Sequence, residues 1–185
     1  MRVIAFFAAA LALAGCQTLD DALAAPEQNV GPCPSVGVLY EASRLVEIKG
    51  EETYGNVGYT GEITGVDAFC VYSGADPIQV EMTLDLAFGR GPSATGNSQT
   101  YRYFVAVTRR DIAVIERQDF TVQVDFPPGV DRLARTETFE SIVIPRANET
   151  VSGANFEIIV GFVLDEDQLA FNRAGKRFRS MVGSE

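Results

Sequence analysis

Between residues 78 and 88 the chain reads IQVEMTLDLAF, with an apolar side chain at every second place. Ile78, Val80, Met82, Leu84, Leu86 and Phe88 alternate with Gln79, Glu81, Thr83, Asp85 and Ala87. Successive side chains of a strand point to opposite faces, so this pattern buries one row and wets the other. A helix would scatter the same apolar residues around its circumference. A strand with one wet face needs antiparallel neighbours beside it and a second apolar layer facing it. FTVQVDF at residues 120–126 follows the same rule, with Phe120, Val122, Val124 and Phe126 inward and Thr121, Gln123 and Asp125 outward.

Strand-like runs also occur at residues 36–40, 44–48, 57–63, 66–72, 101–108, 138–144 and 156–164, most of them separated by turn-rich clusters such as SGADP, PPG and PRANETVSG. Eight or nine strands predict an all-β fold, a single immunoglobulin-like β-sandwich with a short C-terminal helix. A small β-barrel is the alternative, because alternation alone does not separate the two. The chain has no tryptophan, so the Cys–Trp–Cys core of true immunoglobulin domains is missing and the likeness is one of architecture only. A transmembrane barrel does not fit an acidic chain without aromatic girdles. The helix is expected from Asp165 to about Asn172. Asp165 and Gln168 have the spacing of a capping box, Glu166 and Asp167 suit the helix dipole, and Gly175 stops the run.

The N-terminus carries a different signal. Arg2 precedes an apolar run from Val3 to Ala14, far shorter than the roughly 20 residues that span a bilayer but within the length of an export leader. The run ends in Leu13, Ala14, Gly15 and Cys16, which resembles the lipobox of bacterial lipoproteins. The resemblance implies a diacylglyceryl group on Cys16, cleavage just before it and acylation of the new amine, giving the two or more chains that stable anchoring needs. Gln17 stands where an Asp would resemble the inner-membrane retention signal, so the same resemblance implies sorting to the outer membrane, facing the periplasm. A soluble signal cut after Ala22-Leu23-Ala24 is the competing reading, with Asp20 and Asp21 set between that site and the apolar run. The expected organisation is a leader at residues 1–15, a lipidated flexible tether at 16–34, the sandwich at 35–180 and a disordered tail at 181–185. GPCPSVGVLYEASRLVEIKG and NFEIIVGFVLDEDQLAFNRAGKRFR, about a quarter of the chain, are similar to a group of uncharacterised Gram-negative lipoproteins. No activity attaches to that group, so the likeness adds location alone.

An exported chain meets an oxidising compartment, where the two remaining thiols, Cys33 and Cys70, are expected to pair. Two separate buried thiols are the alternative. Cys70 alternates with Val66, Ala68 and Tyr72, which points it inward. With no histidine anywhere and the cysteines far apart, neither a metal site nor a cofactor is expected. The chain has 25 acidic and 15 basic residues, a net charge of -10, which argues against nucleic acid as a partner.

Without histidine no Ser–His–Asp or Cys–His arrangement can be built. Only a carboxylate pair could run hydrolysis, and the acids are spread over outward strand positions. Asp165 to Asp167 lack the spacing and turn glycine of a calcium loop, so helix N-terminal charge explains them better. GRGPSATGNSQ at residues 89–99 has no Lys-Ser/Thr pair, so it is not a phosphate loop; it reads as a hairpin tip, with partner contact as the functional alternative. Tyr101 and Tyr103 share a face with Val105 and Val107 and read as core, while Arg173, Lys176, Arg177 and Arg179 balance the acidic body. The function expected is therefore that of a non-catalytic protein-interaction or structural module of the envelope. A binding module for a small ligand, glycan or cation, using the loop at 89–99, is the alternative.

Overall fold

The computed structural model describes residues 31–110 and 112–177. The leader, Cys16, most of the tether (16–30), Arg179 and the tail at 181–185 lie outside the described residues. Among the described residues eight strands form two four-stranded sheets that do not close into a barrel, so the sandwich stands and the barrel alternative falls. The strands are β1 (Ser35–Val38), β2 (Arg44–Ile48), β3 (Val57–Val71), β4 (Ile78–Arg90), β5 (Ser98–Arg109), β6 (Ala113–Asp125), β7 (Arg132–Ile144) and β8 (Phe156–Phe162). The first sheet has the order β1-β8-β5-β6 and the second β2-β3-β4-β7. All neighbours are antiparallel except β1 and β8, which run parallel. The layers are those of an immunoglobulin-like sandwich, while the strand order is this chain's own.

The alternating run became β4, the centre of the second sheet. All six of its apolar residues are at most 3% exposed. They face Tyr101, Tyr103, Val105 and Val107 of β5 and Ile158, Val160 and Phe162 of β8 in one continuous core. Phe88 and Tyr101 meet at 4.5 Å between ring centroids, and Phe120 packs on Tyr103 at 5.5 Å and edge-on to Phe139 at 5.1 Å. β5 is buried on its second face too. Phe104 and Ala106 form a small outer cluster with Ala42, and the Arg117 guanidinium lies 4.1 Å above the Phe104 ring.

Several boundaries differ from expectation, each for a physical reason. The runs expected at 57–63 and 66–72 are one strand that ends at Val71; a bulge between Ile63 and Gly65 flips the inward parity from odd to even numbers. β6 and β7 begin seven and six residues before their alternating stretches, because those early residues sit on sheet edges where neither face is fully covered. The segment at 89–99 is not a hairpin: Gly89 and Arg90 finish β4, Ser98 and Gln99 start β5, and the residues between them cross from one sheet to the other. It is pinned, with the Tyr59 hydroxyl donating to Thr95 O and Gly96 O at 3.0 and 2.9 Å. A Cβ on Gly91 would fall 2.4 Å from Val57 O, so only glycine passes there.

The helix, α1 (Glu166–Arg173), starts as expected. Asp165 accepts from Gln168 N at 2.8 Å, and Gln168 Oε1 accepts from Asp165 N at 3.1 Å. Phe171 is buried, and Asn172 Nδ2 donates to Glu41 O and Arg44 O, both at 2.8 Å, clamping the helix to the start of β2. No helix among the described residues is long and apolar enough to cross a membrane.

Candidate functional site

Three features of the surface have chemical potential, and the strand registers place them. One end of the sandwich is stapled. Cys33 and Cys70 form a disulfide with Cα atoms 5.7 Å apart, tying the segment before β1 to the end of β3. Beside it Tyr72 donates its hydroxyl to Pro32 O at 3.0 Å and accepts from Gly153 N at 3.2 Å. Residues 31–34, assigned to the tether by composition, are thus part of the packed domain. Arg146 completes the staple. Its guanidinium lies 4.6 Å from the Tyr72 ring centroid and donates to Ser73 O, Gly74 O, Asp76 O and Val151 O. Nothing in the sequence marks Arg146, because its partners are backbone carbonyls, three of them in the distant loop at residues 73–76 and one in its own loop at Val151.

The second feature is an open edge. Among the described residues β6 pairs with β5 alone, and its first seven residues, Ala113 to Asp119, are exposed. Ile112, Val114 and Ile115 are 68%, 60% and 47% exposed where the strand begins. This tip lies at the stapled end: Arg110 N donates to Asn155 O at 2.9 Å and Arg110 Nη2 to Ser35 Oγ at 3.1 Å, two residues from Cys33. β7 is the other long edge, and it differs. Arg135 and Glu137 share a face with the buried Leu86 and Leu84, so its charges point inward, a device that discourages further pairing.

The third feature lies at the opposite end, on the outer face of the second sheet. A groove of about 1040 Å³ has a floor of short side chains, Thr60, Ala87, Gly89 and Ala134. α1 and the residues after it wall one side. Arg44 donates to Glu62 Oε1 through Nε at 2.8 Å and Nη2 at 2.6 Å; Arg90 does the same to Asp131 Oδ1 at 3.0 and 2.8 Å. The crossing segment at 91–97 borders the mouth, where Tyr54 is 58% exposed.

The residues singled out from sequence are dispersed over these places. Tyr101 and Tyr103 are core, as expected. Asp165 to Asp167 serve the helix start, and among the described residues no three of His, Cys, Asp and Glu gather as for a metal ion. Arg173 pairs with Glu41 at 2.9 Å and Lys176 with Glu52, which accounts for part of the basic tail. Glu47 Oε2 is the one buried side-chain oxygen without a partner among the described residues; it lies 2.9 Å from where a Cβ on Gly58 would stand.

The two core tyrosines make a pH prediction. Burial, and then the nearby Glu137, push the Tyr103 hydroxyl from 10.0 up to about 12. Burial pushes Tyr101 higher still, with Tyr59 and Glu47 adding to it. An unfolded chain releases these protons near pH 10. Their contribution is therefore complete below pH 10 and is lost as the pH climbs toward 12. Stability followed by circular dichroism should fall steeply over that window, in step with tyrosinate absorbance. Tyr103→Phe should move the midpoint upward; an unchanged midpoint would remove Tyr103 from the explanation.

Among the described residues the fold and its surfaces define a disulfide-stapled β-sandwich with an open β6 edge and a basic groove. Comparison with protein-family models, curated proteins and solved structures finds no match.

Proposed function

We propose that this chain is a lipid-anchored module of the bacterial envelope, attached through Cys16 to the outer membrane, facing the periplasm and non-catalytic. It docks a protein partner by accepting an extended strand along β6. The observation that carries this reading is the β6 edge, unpaired among the described residues, with Ile112, Val114 and Ile115 at its start. An exposed edge offers a row of N–H and C=O groups to an incoming chain, which supplies affinity, while alternate side-chain contacts supply specificity. Apolar residues at the tip add area that leaves water on docking. The tip also lies at the end of the fold nearest Cys33, so a partner held there sits close to the segment leading back to the anchor. The lack of any histidine supports a non-catalytic role.

A photo-crosslinking residue at Ile115, compared with one at Thr136 on the outer face of β7, tests the reading in intact cells. One discrete envelope protein captured from Ile115 and not from Thr136 is expected. Equal capture from both, capture of a second copy of the chain only, or no capture overturns the docking. In the same cells Cys16→Ser should shift the protein from the membrane to the soluble fraction; a variant that stays membrane-bound overturns the anchor.

A further inference from the structure

The molecule is acidic overall, yet the groove at the end away from the disulfide gathers five cations, Arg44, Arg90, Arg132, Lys176 and Arg177, against two lining carboxylates, Glu62 and Asp131, and the Glu52 that pairs with Lys176. Stability does not require this. The pairs Arg44–Glu62 and Arg90–Asp131 are solvent-accessible, and such pairs contribute at most about 1 kcal/mol each. The side chains of Arg132 and Arg177 make no hydrogen bond or ion pair among the described residues, so their charges remain available. Their concentration over a floor of alanine, glycine and threonine makes a positive trough in a negative surface.

We infer that this groove binds an acidic oligosaccharide, a short run of sugar rings bearing carboxylates. Four observations converge on that class. Free guanidinium groups match a carboxylate with paired N–H donors. The exposed Tyr54 ring stands at the mouth, where the C–H face of a sugar can stack on it. Arg44 and Arg90 each concentrate two donors on a single carboxylate oxygen, which leaves Glu62 Oε2 and Asp131 Oδ2 to accept from sugar hydroxyls. The groove is open, and at about 1040 Å³ it exceeds what one ring fills, so a chain can lie along it. A nucleic acid carries far denser charge and is repelled by a body of net charge -10. Sugar acids carry about one charge per ring, which the local excess of cations can meet. This inference is independent of the β6 edge, so failure of the crosslinking experiment leaves it standing.

Calorimetric titration of the full chain with tetragalacturonate, maltotetraose and inorganic phosphate tests it. Tetragalacturonate should bind and weaken as salt is raised, while maltotetraose should not bind. Arg132→Glu should weaken binding at least about tenfold, and Tyr54→Ala about fivefold, both with unchanged melting temperature. Both positions are exposed, so neither change threatens the fold. No binding of tetragalacturonate at millimolar concentration overturns the proposal, as does binding indifferent to Arg132→Glu. Equal binding of maltotetraose removes the acidic requirement and sinks it. Phosphate that displaces tetragalacturonate at equal concentration reduces the site to a bare anion sink and also overturns it.

Discussion

Replacing Cys33 and Cys70 together by alanine should lower the stability of the folded chain by about 4 kcal/mol. The bridge spans a sequence separation of 37 residues, and on the chain-entropy account closing a loop of that size removes about this much freedom from the unfolded ensemble. For a domain of this length the loss corresponds to a fall in melting temperature of roughly 8–16 °C. Cys70 is fully buried and Cys33 packs against the core, so part of the fall could come from lost side-chain volume. Reducing the wild-type chain with a strong thiol separates the two, because it breaks the bond and keeps both sulfurs. The reduced protein should melt close to the double variant, and either single variant should match it too. Amide exchange should quicken at residues 31–38 ahead of the rest, since without the bridge that segment is held by Tyr72 and the pairing of β1 with β8. A reduced protein with an unchanged melting temperature would show that the Tyr72–Arg146 network alone closes this end.

What the sequence disclosed, and what it withheld, divides along burial. β4 is covered on one face along its whole length, so its pattern could be read residue by residue, and every inward assignment held. The inward placement of Cys70, Tyr101 and Tyr103 followed from the same parity rule. The rule is silent where no face is covered: Ala113 to Asp119 show no alternation because both sides meet water. It also misleads at Gly65, where a bulge shifts parity and one long strand reads as two. The crossing at 91–97 carries the composition of a tight turn, and only the sheet order reveals that it joins different layers. The groove was the least legible feature. Arg44, Arg90, Arg132 and Lys176 come from four separate segments, and each looks like an ordinary surface charge until the topology brings them together. The anchor proposed at Cys16, by contrast, rests on a local sequence motif and on nothing in the fold.

Phe162→Ala should cost about 3–5 kcal/mol, the range for truncating a buried ring. Phe162 is 1% exposed and its ring lies 6.4 Å from that of Tyr101, itself 4.5 Å from Phe88. The ring fits because Gly61 of the opposite sheet faces the interior with no side chain, between its register partners Leu45 and Phe88. A Cβ built at Gly61 would stand 2.8 Å from Phe162 Cζ and 3.3 Å from Tyr101 Cδ1. Neither ring has a free end that can swing aside. Gly61→Ala should therefore destabilise by about 1–3 kcal/mol, as overpacked core positions do, despite removing a glycine from a strand. The two positions form one knob and one slot, which makes their effects interdependent. Shortening the knob with Phe162→Leu withdraws the Cζ atom that the new methyl would strike. Chemical denaturation of Gly61→Ala, Phe162→Leu and the combined variant should show the double change costing less than the sum, by about 1 kcal/mol or more. Strict additivity would mean that the sheets slide apart to admit the methyl, so that the slot does not set the spacing of the two layers at this end.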